Sequence, residues 1–345
     1  MPLNRLYETI VGARNSLYEA GVFKSHSLGA KTVSIGNITV GGTGKTPLVA
    51  LVAEVLAGAG EKVCILTRGY GRENPRKQVL VSDGEKITAD VRAAGDEPFE
   101  LAAKLLGKAI VVAGANRAAA GNWAREKFAV TAFVLDDAFQ HRRVKRDLDV
   151  VCIDATNPFG NGATLPTGIL REPLNNLKRA DAIVITRANL TEDVSYLKSE
   201  ISKYNSACPI FVSENRISRL IDLKDFPAKP STSPSAADDR RPTTGNCLAF
   251  CALGNPNNFF EQLRRENFNL VAAETFSDHY FYAPKDIAKL VAKAKQTGAE
   301  MLLTTAKDAV KLKDLKIDLP CFVAESEMVF GREDDFRQWL LYAKN

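Results

Sequence analysis

The segment Gly36-Asn37-Ile38-Thr39-Val40-Gly41-Gly42-Thr43-Gly44-Lys45-Thr46-Pro47 holds the residue types that grip a nucleotide phosphate. Glycines let successive backbone N–H groups wrap an anion, a lysine reaches the β and γ phosphates, and the next hydroxyl can ligate Mg²⁺. Such a loop needs a strand before it and a helix after it, so that the helix N-terminus adds its partial positive charge. Thr32 to Ile35 reads as that strand, and Leu48, Val49, Leu51, Val52 and Val55 as the apolar positions of a helix from Pro47 to Ala57. The strict pattern has glycine where this chain has Thr39, but Gly41, Gly42 and Gly44 with the Gly-Lys-Thr ending keep the phosphate reading. Thr39, Val40, Gly41, Gly42, Thr43, Gly44, Lys45 and Thr46 are the expected nucleotide-binding residues.

A phosphate loop needs an acid near its magnesium, commonly at the end of an apolar strand. Ala132-Phe133-Val134-Leu135 followed by Asp136 and Asp137 offers two, which with Thr46 form the expected metal set. One aspartate would organise the metal and the other a water or substrate; acids capping the next segment are the alternative. Further clusters follow other expected strands. Arg68-Gly69-Tyr70-Gly71-Arg72 combines a tight turn with guanidinium groups that fork onto phosphate oxygens. Gly95-Asp96-Glu97-Pro98 either caps a helix or presents a carboxylate that takes a proton from a hydroxyl. Gly114-Ala115-Asn116-Arg117 sets an arginine at a helix start. Gln140-His141-Arg142-Arg143-Val144-Lys145-Arg146 is an anion site or a solvated face; lacking interleaved aromatics, it does not call for nucleic acid. Arg171 and Glu172 sit between Gly168 and Pro173. Ser277-Asp278-His279-Tyr280 and Thr304-Thr305-Ala306-Lys307-Asp308 come late, and His279, one of three histidines, is either a structural hydrogen-bonder or a group that tunes a base across the cleft.

The elements that must position these residues alternate along the chain. Val63–Leu66, Ala109–Ala113, Ala132–Leu135, Asp149–Ile153 and Ala182–Ile185 read as buried strands, separated by helices such as Pro98–Leu106 and Arg117–Lys127. That alternation predicts an α/β fold with a parallel sheet of P-loop NTPase type. After a polar stretch at 227–246, expected to be an exposed loop, Leu248–Ala252, a helix near Phe259–Glu266, Met301–Thr304, Cys321–Val323 and a last helix from Asp334 to Ala343 predict a second, smaller α/β domain. The expected units are 1–23, 24–215 and 216–345, with the last helix able to pack back on the first domain. A chain of 345 residues with 45% hydrophobic and 25% charged residues fits two globular domains rather than a disordered or integral membrane protein. Its +5 charge favours anionic partners without identifying one. The six cysteines form no C-x-x-C pair and are expected to be reduced. Leu3, Leu6, Tyr7, Ile10, Leu17 and Tyr18 recur at helical spacing, which predicts an amphipathic helix that covers the protein's own core or lies on a membrane surface.

Taken in order, TVGGTGKTP, RGYGR, GDEP, GANR, LDDAFQHRR, LREP, ALGNP, SDHY and TTAKDAVKL resemble the tetraacyldisaccharide 4′-kinase (lipid A 4′-kinase) family over nearly the full length. Two departures are small: Ala306 stands where the family often has Glu, and the 227–246 stretch is longer than usual. The resemblance implies transfer of the γ-phosphate of ATP, with Mg²⁺, to the 4′-hydroxyl of a tetraacylated glucosamine disaccharide 1-phosphate. It implies Asp96 as the base, His279 as the residue orienting it or tuning its pKa, and Lys45, Thr46, Asp136 and Asp137 around the phosphates and metal. Arg72, Arg117 and Arg171 then become candidates for the sugar phosphate or the transferring group, with Tyr70, Glu97, Gln140, His141 and Glu172 behind them. It also implies a peripheral protein on the cytoplasmic face of the bacterial inner membrane, bound to anionic lipid through residues 1–23. A monomer is expected, and a second-domain residue in the mechanism would make domain closure on ATP part of catalysis. A switch GTPase or a membrane-associated scaffold is the competing reading; the guanine-reading Asn-Lys-x-Asp is absent, since Lys307 and Asp308 are adjacent.

Overall fold

A computed structural model describes residues 3–226 and 245–343 of the chain. The polar stretch expected at 227–246 falls outside them except for its last two residues, and Asn246 already opens a strand. The first part of the chain runs α1 (Leu3–Glu19), β1 (Lys31–Asn37), α2 (Lys45–Gly58), β2 (Val63–Thr67), β3 (Val79–Ser82), α3 (Val91–Ala94), α4 (Asp96–Lys104), β4 (Ala109–Ala113), α5 (Arg117–Phe128), β5 (Ala132–Asp136), β6 (Leu148–Asp154), β7 (Ala182–Thr186) and α6 (Ser195–Ser202). It continues through β8 (Ile210–Asp222), β9 (Asn246–Cys251), α7 (Pro256–Arg265), β10 (Asn269–Thr275), α8 (Pro284–Thr297), β11 (Met301–Thr305), α9 (Ala306–Ala309), β12 (Cys321–Phe330) and α10 (Glu333–Tyr342).

The fold is α/β, and its strands among the described residues join in one sheet ordered β10-β9-β11-β12-β8-β7-β6-β1-β5-β2-β4-β3. Only β3 against β4 and β8 against β12 pair antiparallel. The expectation is two α/β domains that meet at 215/216. The long strand β8 joins their strands in one sheet, pairing in parallel with β7 at Ile210 to Val212 and antiparallel with β12 from Ser213 to Asp222. The sequence boundary at 215/216 thus falls inside a strand. β8 is hidden in the sequence because Glu214, Arg216 and Arg219 break its apolar run, while β3 is an edge strand of four residues and the edge strand β10 has exposed positions.

Parallel register gathers the loops. Ile35 of β1 pairs with Asp136 of β5, Thr67 of β2 with Ala113 of β4, and Asp154 of β6 with Thr186 of β7. In the other half Cys251 pairs with Thr275 and Thr305 with Ala324. The segments after these strands therefore leave the same edge of the sheet, where open α/β sheets bind ligands.

α2 is buried on nearly every face, from Leu48 through Leu56, because the sheet covers one side and β12 with α10 the other. Phe336 of α10 is fully buried, stacked on Phe330 at 4.6 Å and edge-on to Phe211 at 5.1 Å between ring centres. The last helix thus packs into the core that holds β1 and α2.

α1 docks through a different face from the one its apolar spacing predicts. Val11 and Asn15 are buried, and the Tyr7 hydroxyl donates to the Arg171 carbonyl (2.9 Å). Leu3, Leu6, Ile10 and Leu17 are left exposed. No described helix is long and apolar enough to cross a membrane. The cysteines are free thiols.

Removing the Phe336 ring would leave a cavity where three aromatic groups meet, so Phe336→Ala should lower unfolding stability by about 3–5 kcal/mol in urea titration. A loss within about 1 kcal/mol would mean that α10 contributes little to this core.

Candidate active site

Gly44, at φ 78°, turns the chain into α2, and a β-carbon there would press on the Thr186 side chain at 3.3 Å. The Thr186 hydroxyl in turn donates to the Thr43 carbonyl (2.9 Å), and the Arg187 guanidinium donates to the Gly42 carbonyl (2.8 Å) while pairing with Asp154. The loop is therefore held from the β7 side, and Gly41 through Pro47 line a cleft of about 360 Å³ between the two parts of the sheet. The Thr43 hydroxyl is buried without a hydrogen-bond partner in the described structure, which fits a group reserved for a ligand oxygen. Thr39 and Val40 do not line this cleft. Thr39 is buried in a bridge to Leu170, and the Val40 amide donates to Ile169 (2.8 Å), so both anchor the loop rather than cradle a phosphate.

The paired acids divide. Asp137, at φ 48°, turns its carboxylate into the cleft, 3.6 Å from the Lys45 ammonium and 2.8 and 3.0 Å from the Arg171 guanidinium. Burial would raise its pKa, but Lys45 and Arg171 hold it below the ordinary value. Asp136 faces the sheet, accepts the Thr67 hydroxyl (2.9 Å), and is pushed up to about 6 by burial and by the charges of Glu97 and Asp137. Among the described residues no three acidic, imidazole or thiol groups are gathered as a metal cage. Thr46 and Asp137, hard oxygen donors on one cleft, suit Mg²⁺, which characteristically takes few protein ligands and fills its shell with phosphate oxygens and water.

Across the cleft stands a carboxylate–imidazole pair. Gly95, at φ 91°, lets the chain turn into α4 against the Tyr70 carbonyl, where a β-carbon would sit 2.8 Å from that oxygen. Asp96 opens α4, and His279 Nδ1 lies 2.9 and 3.0 Å from its two carboxylate oxygens. Burial alone would raise the Asp96 pKa; the His279 hydrogen bond, the charge of Lys307, that of His279 and that of Lys311 overturn this and hold it low. His279 is raised, first by the Asp96 hydrogen bond. His279 lines the cleft with Tyr70, Glu97 and Arg171, whereas Asp96 is only 4% exposed and lies behind them.

Other expected residues are engaged elsewhere. Arg72 is buried and donates to the carbonyls of Lys77 (2.7 Å), Pro75 (2.6 Å) and Ala113 (3.2 Å), so it builds the loop after β2 instead of meeting a phosphate. Arg117 is buried and donates to the Asp136 carbonyl (2.5 Å), fixing the turn that aims Asp137. Gln140 donates to the Asn37 carbonyl (2.9 Å). His141 lies outside the cleft lining, its pKa pushed down to about 4 by burial and surrounding arginines. Glu172 is 0% exposed and accepts from Arg14 (3.2 Å), Asn15 (3.0 Å), Asn176 (2.7 Å) and Arg179 (2.7 Å), which clamps α1 to the Arg171 loop. Sequence reasoning assigned no role to Arg187, Lys307 or Lys311. The four-residue spacing of Lys307 and Lys311 in TTAKDAVKL was the available signal, since it sets both on one side of a helical turn.

A glycine phosphate loop, a cation-paired acid at the end of the neighbouring strand and a carboxylate–imidazole pair facing them define a P-loop phosphotransferase. A family model described as tetraacyldisaccharide-1-P 4′-kinase (LpxK) matches residues 1–344. The chain is 40% identical over 306 residues to the tetraacyldisaccharide 4′-kinase of Geobacter metallireducens, covering 89% of this chain and 86% of that one. It is 36% identical to the same-named protein of Halothermothrix orenii, with 90% and 81% covered. The crystal structure of LpxK from Aquifex aeolicus in complex with ATP matches with a TM-score of 0.75 at 31% identity, over 99% of this chain and 96% of that one. The chain belongs to the tetraacyldisaccharide-1-P 4′-kinase family; it is a kinase, and a switch or scaffold without catalysis is not favoured.

The dyad sets a pH window. The raised pKa of His279 yields stability that is complete below its unfolded value of about 6.5 and lost as pH rises through the folded value. The lowered pKa of Asp96 yields stability that is complete above about 3.8 and lost as pH falls through its folded value. The stability difference between wild type and His279→Ala should therefore be largest between about pH 4 and 6.5 and shrink on both sides. A difference independent of pH, measured by urea titration, would show that the pair is not ionised as described.

Proposed function

We propose that this kinase transfers the γ-phosphate of ATP to the 4′-hydroxyl of a tetraacylated glucosamine disaccharide 1-phosphate, a step of lipid A synthesis. The observation that carries the reading is the Asp96–His279 pair, 2.9 Å apart, facing Lys45 and Asp137 across one cleft in a chain of this family. Lys45 would meet the β and γ phosphates, and Thr46 and Asp137 would hold Mg²⁺, with Asp136 bracing the same strand end through Thr67. When bound, Mg²⁺ neutralises charge on the β and γ oxygens.

The hydroxyl oxygen attacks the γ-phosphorus, the bond to the β–γ bridging oxygen breaks, and ADP leaves. The hydroxyl proton passes to Asp96 and His279 acting as one acceptor, His279 lining the cleft and Asp96 supporting it from behind. A loose transition state asks mainly for position and charge, so the pair orients the nucleophile as much as it deprotonates it. Arg171, beside Asp137 on the cleft wall, is placed for the transferring phosphoryl group, and Tyr70 and Glu97 for the sugar. The part through residue 215 supplies the phosphate loop and the part from 216 supplies His279, so closing the cleft on ATP completes the site.

The exposed stripe Leu3, Leu6, Ile10 and Leu17, continued by Val22 and Phe23, with exposed Arg5 and Lys24 beside it, is suited to lie on an anionic bilayer. This supports peripheral contact with a membrane, where an acylated substrate resides; the location proposed with it is the cytoplasmic face of the inner membrane, as a monomer.

Incubated with Mg-ATP and the detergent-dispersed disaccharide, wild type should form the 4′-phosphate, while Lys45→Ala, Asp96→Asn and His279→Ala should lose on the order of 10²–10⁴-fold in kcat. No transfer by wild type would sink the kinase reading, and full activity of Asp96→Asn would remove the acceptor pair. Leu6→Glu with Ile10→Glu should free the protein from sedimenting anionic vesicles; unchanged sedimentation would refute the surface assigned to α1.

A further inference from the structure

Asp96 is buried, and its carboxylate has more than one cation. Lys311 Nζ lies 3.5 Å and Lys307 Nζ 3.9 Å from Oδ2. Lys307 also reaches Glu97 (3.4 Å) and Asp278 (2.9 Å) at the cleft wall. Lys311 is different: its side chain is 0% exposed, and among the described residues its ammonium group pairs with the Asp308 carboxylate (3.1 Å) and Asp96 and lies 5.8 Å from the centre of the Tyr282 ring. Asp308 turns its other oxygen to the Ala252 amide (3.0 Å) and the Thr305 hydroxyl (2.8 Å), which leaves Oδ1 to face Lys311 beside Asp96 Oδ2. A lysine ammonium sealed from water demands anionic partners, and here one of the two is the carboxylate of the proton-accepting pair.

The charged groups around Asp96 can be named from each side. Its own helix contributes Glu97 and Glu100, the latter pushed up to about 7 by burial. The segment before α8 contributes His279 and Asp278, and α9 with the turn after it contributes Lys307, Asp308 and Lys311. Arg72, in the loop packed against Gly95, spends its guanidinium on carbonyl oxygens. The cations that balance Asp96 thus come from the C-terminal part of the chain, as His279 does.

We infer that Lys311, seconded by Lys307, is a positioning residue for Asp96: it claims Oδ2 from the buried side and holds the carboxylate oriented towards His279. The inference rests on reading Asp96 and His279 as the proton acceptor. Lys311 touches neither substrate nor nucleotide, so its effect has to appear through the pair. Taking away its charge leaves both Asp96 and His279 with one cation fewer, and both titrations move to higher pH.

The test uses the full chain with Mg-ATP and the dispersed disaccharide, comparing pH profiles of kcat/KM for wild type, Lys311→Met, Lys311→Arg, Lys307→Met and Asp96→Asn. Lys311→Met should lose about tenfold in kcat at neutral pH and keep its KM for ATP within about twofold, with its acid limb about one pH unit higher. Lys311→Arg should restore the limb. A merely structural lysine would lower the folded fraction, read by circular dichroism and melting, and leave the limb unmoved; that result overturns the inference. Should Lys311→Met fail to fold, Lys307→Met carries the same measurement, with a smaller upward shift expected and none refuting it. Full activity of Asp96→Asn would instead remove the acceptor reading beneath, whereas an inactive Asp96→Asn with an unshifted Lys311→Met removes only the role of Lys311.

Discussion

A carboxylate taken out of water must find positive charge, and Asp96 finds it on residues about two hundred positions away. His279, Lys307 and Lys311 all come from beyond β8, and the Asp96–His279 hydrogen bond spans 183 positions of sequence. Much of the local geometry follows from that meeting. Gly95 turns sharply so that the carboxylate opens α4, and a β-carbon on Gly71 would stand 3.5 Å from the imidazole. The parallel sheet satisfies the same need on a larger scale, since strands that point one way deliver their loops to one edge.

The arginines divide by the company they keep. Arg72 and Arg117 are buried against backbone carbonyls and stabilise turns that have no regular ladder to satisfy them. Arg171 and Arg187 pair with Asp137 and Asp154 at the cleft wall. An arginine bound to carbonyl oxygens has found neutral partners that fit its fork, whereas one bound to a carboxylate can be released when a cation arrives to take that carboxylate over.

That division explains which features are legible in the amino-acid sequence and which are not. The phosphate loop is a local pattern of strand, glycines and helix, so Gly41 to Thr46 are legible, as are the fully buried and mostly apolar strands β2, β4, β5 and β7. Arg72, Arg117 and Glu172 look like ligand contacts because a residue type does not reveal its partner; carbonyls from β4 and β5 and the side chains of α1 are supplied by tertiary contact alone. The spacing of Lys307 and Lys311 sets both on one side of a turn, but the burial of Lys311 is not legible, since it depends on Asp308, Tyr282 and Asp96 converging. β8 is illegible because one of its ends is in a parallel sheet and the other pairs with an antiparallel neighbour, so its hydrophobic pattern matches neither template.

β8 also makes the two sides of the cleft answerable to one strand. Its first three residues are hydrogen-bonded to β7 and the remainder to β12, so the two sides are joined by continuous backbone rather than by a linker. The bond from Asn258 on α7 to Asp154 at the end of β6 (3.2 Å) is a second tie across the same cleft.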